Sequence, residues 1–342
     1  MLTPHTASLS GISRRIMSKI KRLMAKVRFV LAIATALAIA LLGGTVHGQP
    51  YPTKVIRIVT SEPGGATDLT ARVIAQGVAG PIGQPIIVEN RGGPIVQETV
   101  AKAPPDGYTL LVSASMWITP LFQRESSWDP IRDFSPVTLA TSIPSILVIH
   151  PSLSVKSVKE LIALAKSRPG ELNYGTGTTG SGSHIAAEQL KSMAGINMVR
   201  IPYKNAGPAV TALIGGQVQL MFATASSVTQ HIKSGRLNAL AVTSPKPSAL
   251  FPDMPTMADS GLPGYEARTL VGMFAPARTP ADIIKRLNQE VMRLLNRSEV
   301  KEKLLGLGVE AEASSPEQWA AIVKSEMAKL SKIIKEAGLS VE

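Results

Sequence analysis

The chain has 342 residues, with 36 lysines and arginines against 24 acids, a formal net charge of +12, 44% hydrophobic and 4% aromatic residues, and no cysteine. Without cysteine there is neither a disulfide scaffold nor a thiolate metal site, and sparse aromatics among dispersed charges argue against a nucleic-acid surface. Seven of the twelve net positive charges fall in the first fifty residues, which hold no acid, so the rest of the chain is only weakly basic.

That basic segment (Arg14, Arg15, Lys19, Lys21, Arg22, Lys26, Arg28) precedes an apolar run of 14 residues, Phe29 to Leu42. Together they have the layout of a secretory signal peptide over residues 1–48, with small residues Val46 and Gly48 before the cut and Gln49 opening the mature chain. The run is shorter than the ~20 residues of a membrane span, and an uncleaved anchor would also leave the body outside the cytoplasm. Arg14-Arg15 makes a poor twin-arginine signal, because the apolar run starts too far downstream. About 294 residues remain, enough for two lobes held by burial alone.

From Val55 the pattern alternates strands with helices. "VIRIVTS" is a β-branched run closed by "EPGG", and "ATDLTARVIAQGVAG" then spaces Leu69, Val73, Ile74 and Val78 as one helix face. "PIIVEN" and "GYTLLVSAS" follow as strands, the second entered through the turn "PPDG". A second set begins after "SILVIHPSL". It runs through the helix "SVKELIALAKSRPG", the strand "LNYGT", a helix from about Ser183 to Met193, and "MVRIPY". It continues with "AGPAVTALIGG", the strand "VQLMFAT", the helix "SSVTQHIKSG" and the strand "LNALAVTS". After "TLVGMFAPA" the pattern predicts three helices and no further strand. Ser315, Pro316 and Gln318 form a capping box for the last, whose stripe of Trp319, Ile322, Val323, Met327, Leu330 and Ile334 is predicted to pack on the first lobe. The alternation predicts parallel α/β architecture, and a helical tail returning to the N-terminal half permits the middle set to be an inserted lobe.

The chemistry available is limited. Of five histidines, His5 and His47 lie in the leader, and His150, His184 and His231 are far apart, with no metal-ligand spacing. Ser181 lacks the Gly-x-Ser-x-Gly frame, and Ser183 and His184 are neighbours that do not face each other on a helix. Gly175, Gly177 and Gly180 spell G-x-G-x-x-G between a strand and a helix, but the next strand carries no acid for a ribose, leaving only Arg200 as a 2′-phosphate partner. No Gly-Lys-Ser/Thr follows, so the loop is not a Walker A motif. What remains is a capability: two glycine turns opening helices, "EPGGATD" and "GTTGSGSH", whose backbone N–H groups from Thr178 to Ser183 and around Gly64 favour anionic or polar ligand groups. Each is also what an ordinary βα connection looks like, and Asp68 stabilises a helix start with or without ligand.

The stretches "IRIVTSEPGGATDLTARVIA", "GQPIIVENR", "AKAPPDGYTLL", "DPIRDFSPVTLA", "LNYGTGTTGSGSHIAAEQLKSMAG", "IPYK", "GGQVQLMFA", "LNALAVTS" and "DMPTMADSGLPGYEA" together resemble the tripartite tricarboxylate transporter receptor family, the Bug-type periplasmic solute-binding proteins. The resemblance spans essentially all of residues 50–342. It implies a two-lobed Venus-flytrap fold of the type II periplasmic binding class, each lobe a sheet flanked by helices, with lobe 1 from 49–148 and 265–342 and lobe 2 from 149–264. It also implies a monomer that captures a small organic solute, mostly a carboxylate, partly through water, and delivers it to two membrane subunits, with no cofactor, metal or catalysis. A ligand-sensing adaptor for a signalling partner, or an exported enzyme using the same cleft, are the rival readings.

Carried over residue by residue, the first loop offers Ser61, Glu62, Gly64, Gly65, Ala66, Thr67 and Asp68, and the end of "VSAS" offers Ser113 and Ser115. The second lobe offers Thr178, Thr179, Gly180, Ser181, Ser183 and His184, with Tyr203 and Thr224 at the rim. Three departures stand out. The family's Pro-Phe-Pro-Ala opening is here Thr60, Ser61, Glu62 and Pro63, which removes an aromatic wall and adds an acid that repels a carboxylate unless it points away or meets a cation. The segment after Arg91 is shorter, and Ala223 stands where an acid is frequent.

Overall fold

The computed structural model describes residues 51–336 apart from 94, 115 and 123–125, together with Gly338 and scattered positions between 17 and 31. Met1–Pro50 separates as a unit from Tyr51–Glu342. The described positions of the predicted leader are helical, and the cleavage expected after Val46–Gly48 falls outside the described residues. Among the described residues no helix is long and apolar enough to cross a membrane.

In chain order the second unit runs β1 (Ile56–Thr60), α1 (Ala66–Ile82), β2 (Ile86–Asn90), α2 (Ile95–Ala101), β3 (Thr109–Ala114), α3 (Thr119–Phe122) and β4 (Phe134–Ile149). Next come α4 (Val158–Ser167), β5 (Asn173–Thr176), α5 (Gly182–Ala194), β6 (Val199–Pro202), α6 (Ala206–Ile214), β7 (Leu220–Thr224), α7 (Ala225–Lys233) and β8 (Asn238–Val242). The chain closes with β9 (Arg268–Pro276), α8 (Ala281–Leu295), α9 (Ser298–Gly306), β10 (Glu310–Ala311) and α10 (Pro316–Glu336). β10 corrects the expectation of an all-helical tail: its two residues pair antiparallel with Ser142 and Thr141 of β4, a strand too short to leave a period in the sequence.

The architecture is two-lobed. In the first sheet β1 lies parallel to β2 and β3, while β9 runs antiparallel between β3 and β4. In the second, β5 lies parallel to β6 and β7, and β4 runs antiparallel to β7 and β8. The β-branched and leucine-rich strands are buried on both faces, as a sheet covered by helices on two sides requires. Val73, Ile74 and Val78 of α1 join Leu287, Val291 and Leu294 of α8 on one side of the first sheet, and Val100 of α2 joins Trp319 and Val323 of α10 on the other. Leu161 and Ala165 of α4 and Leu190 of α5 cover one side of the second sheet, and Leu213 and Val228 of α6 and α7 the other.

β4 belongs to both sheets, and its register fixes where the lobes meet. Thr141 stands opposite Val271, itself opposite Ala114 at the end of β3, while Ser145 stands opposite Thr224 at the end of β7. The carboxyl ends of the two parallel blocks therefore approach each other across four residues of β4, roughly 13 Å at 3.3 Å per residue. That is the crevice in which open α/β sheets hold ligands.

The capping box forms as read: Gln318 N–H donates to Ser315 Oγ (3.2 Å) and Ser315 N–H to Gln318 Oε1 (2.9 Å). Trp319 presses on the backbone of Gly272 in β9, where an added Cβ would lie 2.3 Å from the indole. α10 also does more than cover the first lobe. Ile185 of α5 shares its apolar cluster, and Ser192 Oγ of α5 donates to Glu336 (2.6 Å), so the helix straddles both lobes.

Candidate functional site

At the end of β1 the chain turns through Ser61–Gly65 into α1. Gly64 has φ of 87°, a left-handed conformation that favours glycine, and Gly65 caps the helix in an extended conformation. Asp68, almost wholly buried, is the knot of this loop. Its carboxylate accepts from Gly64 N–H (3.0 Å), Arg72 Nε (3.0 Å) and Asn90 Nδ2 (2.7 Å), and Asn90 Nδ2 also reaches the Ser61 carbonyl (2.6 Å). Burial alone would raise the Asp68 pKa, but Arg72, the Gly64 amide and Asn90 outweigh it and hold the carboxyl below its ordinary value. The Ser61 and Thr67 hydroxyls bond each other. Ser61, Thr67 and Asp68 therefore shape the loop, while Glu62, Gly64 and Gly65 are its exposed face and Ala66 lies half-buried at the helix start.

Glu62 lies against the turn after β2. Its Oε1 would be 2.5 Å from a Cβ added at Gly92, so the carboxylate end lies beside the backbone of that turn. Ser113 is buried and accepts from Gln97 Nε2 of α2 (3.2 Å), and Ser115 lies outside the described residues.

The second-lobe loop is built differently. Gly180 has φ of 79°, and a Cβ on it would stand 3.2 Å from the ring of Phe122 in α3. Of the N–H groups expected to be bare between Thr178 and Ser183, two are occupied. Gly180 N–H donates to His184 Nδ1 (3.1 Å) and Ser181 N–H to the Thr178 carbonyl (3.0 Å). Ser183 Oγ accepts from Gly177 N–H (3.0 Å) and lies 3.2 Å from Ser181 Oγ, so these hydroxyls serve the turn first. Thr178 and Thr179 are exposed. From behind, Arg200 of β6 donates to Thr176 Oγ1 (2.9 Å), the Gly177 carbonyl (3.1 Å) and Thr179 Oγ1 (3.2 Å).

His184 corrects the expectation of a ligand-facing side chain: it is fully buried, and its Nδ1 is spent on the loop. With Nδ1 an acceptor, the ring proton sits on Nε2, which points toward Glu188 at 3.8 Å. Burial first, and then the Arg200 guanidinium, lower its pKa to about 4, so the ring is neutral near pH 7. Glu188 is bound by Lys191 (3.0 Å) and by the Tyr174 hydroxyl. Tyr203 is half-buried behind Gly175, and Thr224, exposed at the end of β7, gathers Ser226 and Ser227 hydroxyls at 3.3 and 3.2 Å.

Between the lobes lies a cavity of about 270 Å³, lined by Ala114 and Trp117 from the first, Gly180 and Gln189 from the second, Thr269 of β9, and Lys329 of α10. A larger depression of about 680 Å³ sits on the second lobe beside β8 and touches neither loop. The crossover itself is pinned electrostatically. Arg268 pairs with Glu266 (2.7 Å) and Glu312 and donates to Ser142 Oγ (3.2 Å), while Lys329 reaches the Glu266 carbonyl (3.0 Å). None of this hub was read from the sequence, whose alternating pattern carries no signal for contacts between segments so far apart.

Two parallel blocks facing each other across a two-strand crossover, each offering a glycine turn at a helix start, define a two-lobed solute-binding protein. Residues 70–339 match the tripartite tricarboxylate transporter family receptor, and the chain belongs to that family. Among its relatives, protein BugT of Bordetella pertussis is 35% identical over 326 residues, 92% of this chain and 99% of that protein. The structure of R. palustris Rpa4515 with adipate is 34% identical with a TM-score of 0.69, over 85% of this chain and 99% of that one. MatC from Rhodopseudomonas palustris with bound malate is 30% identical with a TM-score of 0.64, over 83% and 100%.

Proposed function

We propose that the chain is an exported periplasmic receptor that closes on a small organic acid, a carboxylate or a related zwitterion, and delivers it to the membrane subunits of a tripartite tricarboxylate-type transporter. The observation that carries this reading is the placement of Gly64–Ala66 and Thr178–Ser183 at the carboxyl ends of β1 and β5, one loop per lobe, with the crossing strands β4 and β9 as the connection that would hinge. The adipate and malate held by Rpa4515 and MatC support a carboxylate for this cleft. The lobe bounds expected from the sequence, 49–148 and 265–342 against 149–264, run close to the two crossing strands, although Ile146 to Val148 pair with β7 and β8 of the second sheet. The receptor acts as a monomer and performs no chemistry: Ser181 and Ser183 bond within their turn while His184 serves Gly180, an arrangement that assembles no nucleophile and base. Calorimetry and thermal shift against di- and tricarboxylates, aromatic acids and amino acids test the reading, with a tight solute raising the melting temperature. A folded protein that responds to none of them would overturn it. Ser181→Trp, which fills the cleft, is expected to abolish the response.

A further inference from the structure

The geometry points to a dipolar solute, with its carboxylate held at the second-lobe loop and a cationic group at its other end held by Glu62. This rests on the reading of the cleft as the solute site.

Nearly every charge near the strand ends of the first lobe is matched. Asp68 pairs with Arg72, and Glu89 with Arg57 and Arg91. Glu62 is the exception: exposed, beside Gly92, and without an ion-pair partner among the described residues. On the second lobe the sign reverses. Arg200 spends its hydrogen bonds on two threonine hydroxyls and a backbone carbonyl, all neutral, and no carboxylate among the described residues meets it. Lys204 follows β6 exposed and without an ion-pair partner among the described residues, and the turns after β5, β6 and β7 contain no acid. The charged side chains lining the cavity between the lobes are matched with one another, Arg268 with Glu266 and Lys329 with Glu326, which leaves an unmatched acid on the loop after β1 and an unmatched cation behind the loop after β5, each at the carboxyl end of its parallel block. A solute with a carboxylate at each end would bring one of them against Glu62, whereas one with a cation at that end satisfies both unmatched charges. Glu62 is then a specificity-determining residue of the first lobe, and Arg200 positions the second-lobe loop while supplying its field.

The test uses pairs of equal spacing that differ only in the second end group: succinate and β-alanine, glutarate and γ-aminobutyrate, adipate and δ-aminovalerate. In calorimetry with the purified chain, the amino member of the best-fitting pair is expected to bind on the order of 10-fold or more tighter than its dicarboxylate. Glu62→Gln, at an exposed side chain that leaves folding intact, is expected to erase or reverse that preference. Arg200→Met, checked for folding by circular dichroism, is expected to weaken both members. A dicarboxylate that binds as well as its amino partner, or a ratio unmoved by Glu62→Gln, overturns the dipolar inference and leaves the receptor reading standing. Failure of folded protein to bind any solute, here and in the wider panel, overturns both.

Discussion

The two cleft loops look alike in sequence and are held by opposite chemistry. Each leaves a parallel strand, passes through a left-handed glycine and opens a helix, yet the β1 loop is tied by a buried carboxylate and the β5 loop by a guanidinium and a neutral imidazole. A glycine turn at a helix start is a generic frame. What sits behind it decides the sign of the field it offers and how firmly it is set.

The sharpest way to break this pair is to remove the β1 anchor. Asp68→Ala strips a partner from Gly64, Arg72 and Asn90 at once and is expected to cost about 3 kcal/mol, read from the denaturant midpoint at unchanged slope. A midpoint within experimental error of wild type would mean that the loop is held by something else.

Acid should separate the two loops. The unfolded chain protonates His184 near 6.5 and the folded chain only near 4, so this contribution is complete above that window and is lost as pH falls through it, on the order of 3 kcal/mol. The same proton occupies the lone pair that Gly180 N–H uses. Asp68, held below its ordinary value of 3.8, keeps the β1 loop intact until the pH falls further. Hydrogen exchange measured along a pH series should therefore show the Gly180 amide losing protection before that of Gly64. Simultaneous loss would contradict separate anchoring.

Alanine at the two turn glycines gives a finer contrast. Gly64→Ala and Gly180→Ala both place a side chain at positive φ, worth about 1–2 kcal/mol of strain. The added carbon meets nothing at Gly64 but approaches Phe122 at Gly180, so the second variant should melt lower and bind solute less well. Thr178→Ala, at an exposed hydroxyl outside the turn's own bonds, should leave stability within about 0.5 kcal/mol, which separates effects on the fold from effects on the solute.

Much of this was legible beforehand, because strand ends, glycine turns and the Ser315 cap are local features. The loops at Gly64–Ala66 and Thr178–Ser183 announced themselves through spacing. His184 did not reveal that it turns inward, since a histidine beside a cleft loop reads the same whether it faces ligand or backbone. Arg200 could be weighed only as a nucleotide partner, because its true contacts lie on Thr176, Gly177 and Thr179, one strand away. Arg268, Glu312 and Lys329 depend on chain reversals that no periodicity encodes.

The sharing of β4 bears on the order in which the protein is made. Every strand of the second sheet has emerged by Val242, whereas the first waits for β9, which alone joins β3 to β4, and its final edge waits for β10. A chain emerging from its amino end thus presents every strand of the second sheet while the first still lacks its central strand. The last segment to arrive, α10, then lies down across both.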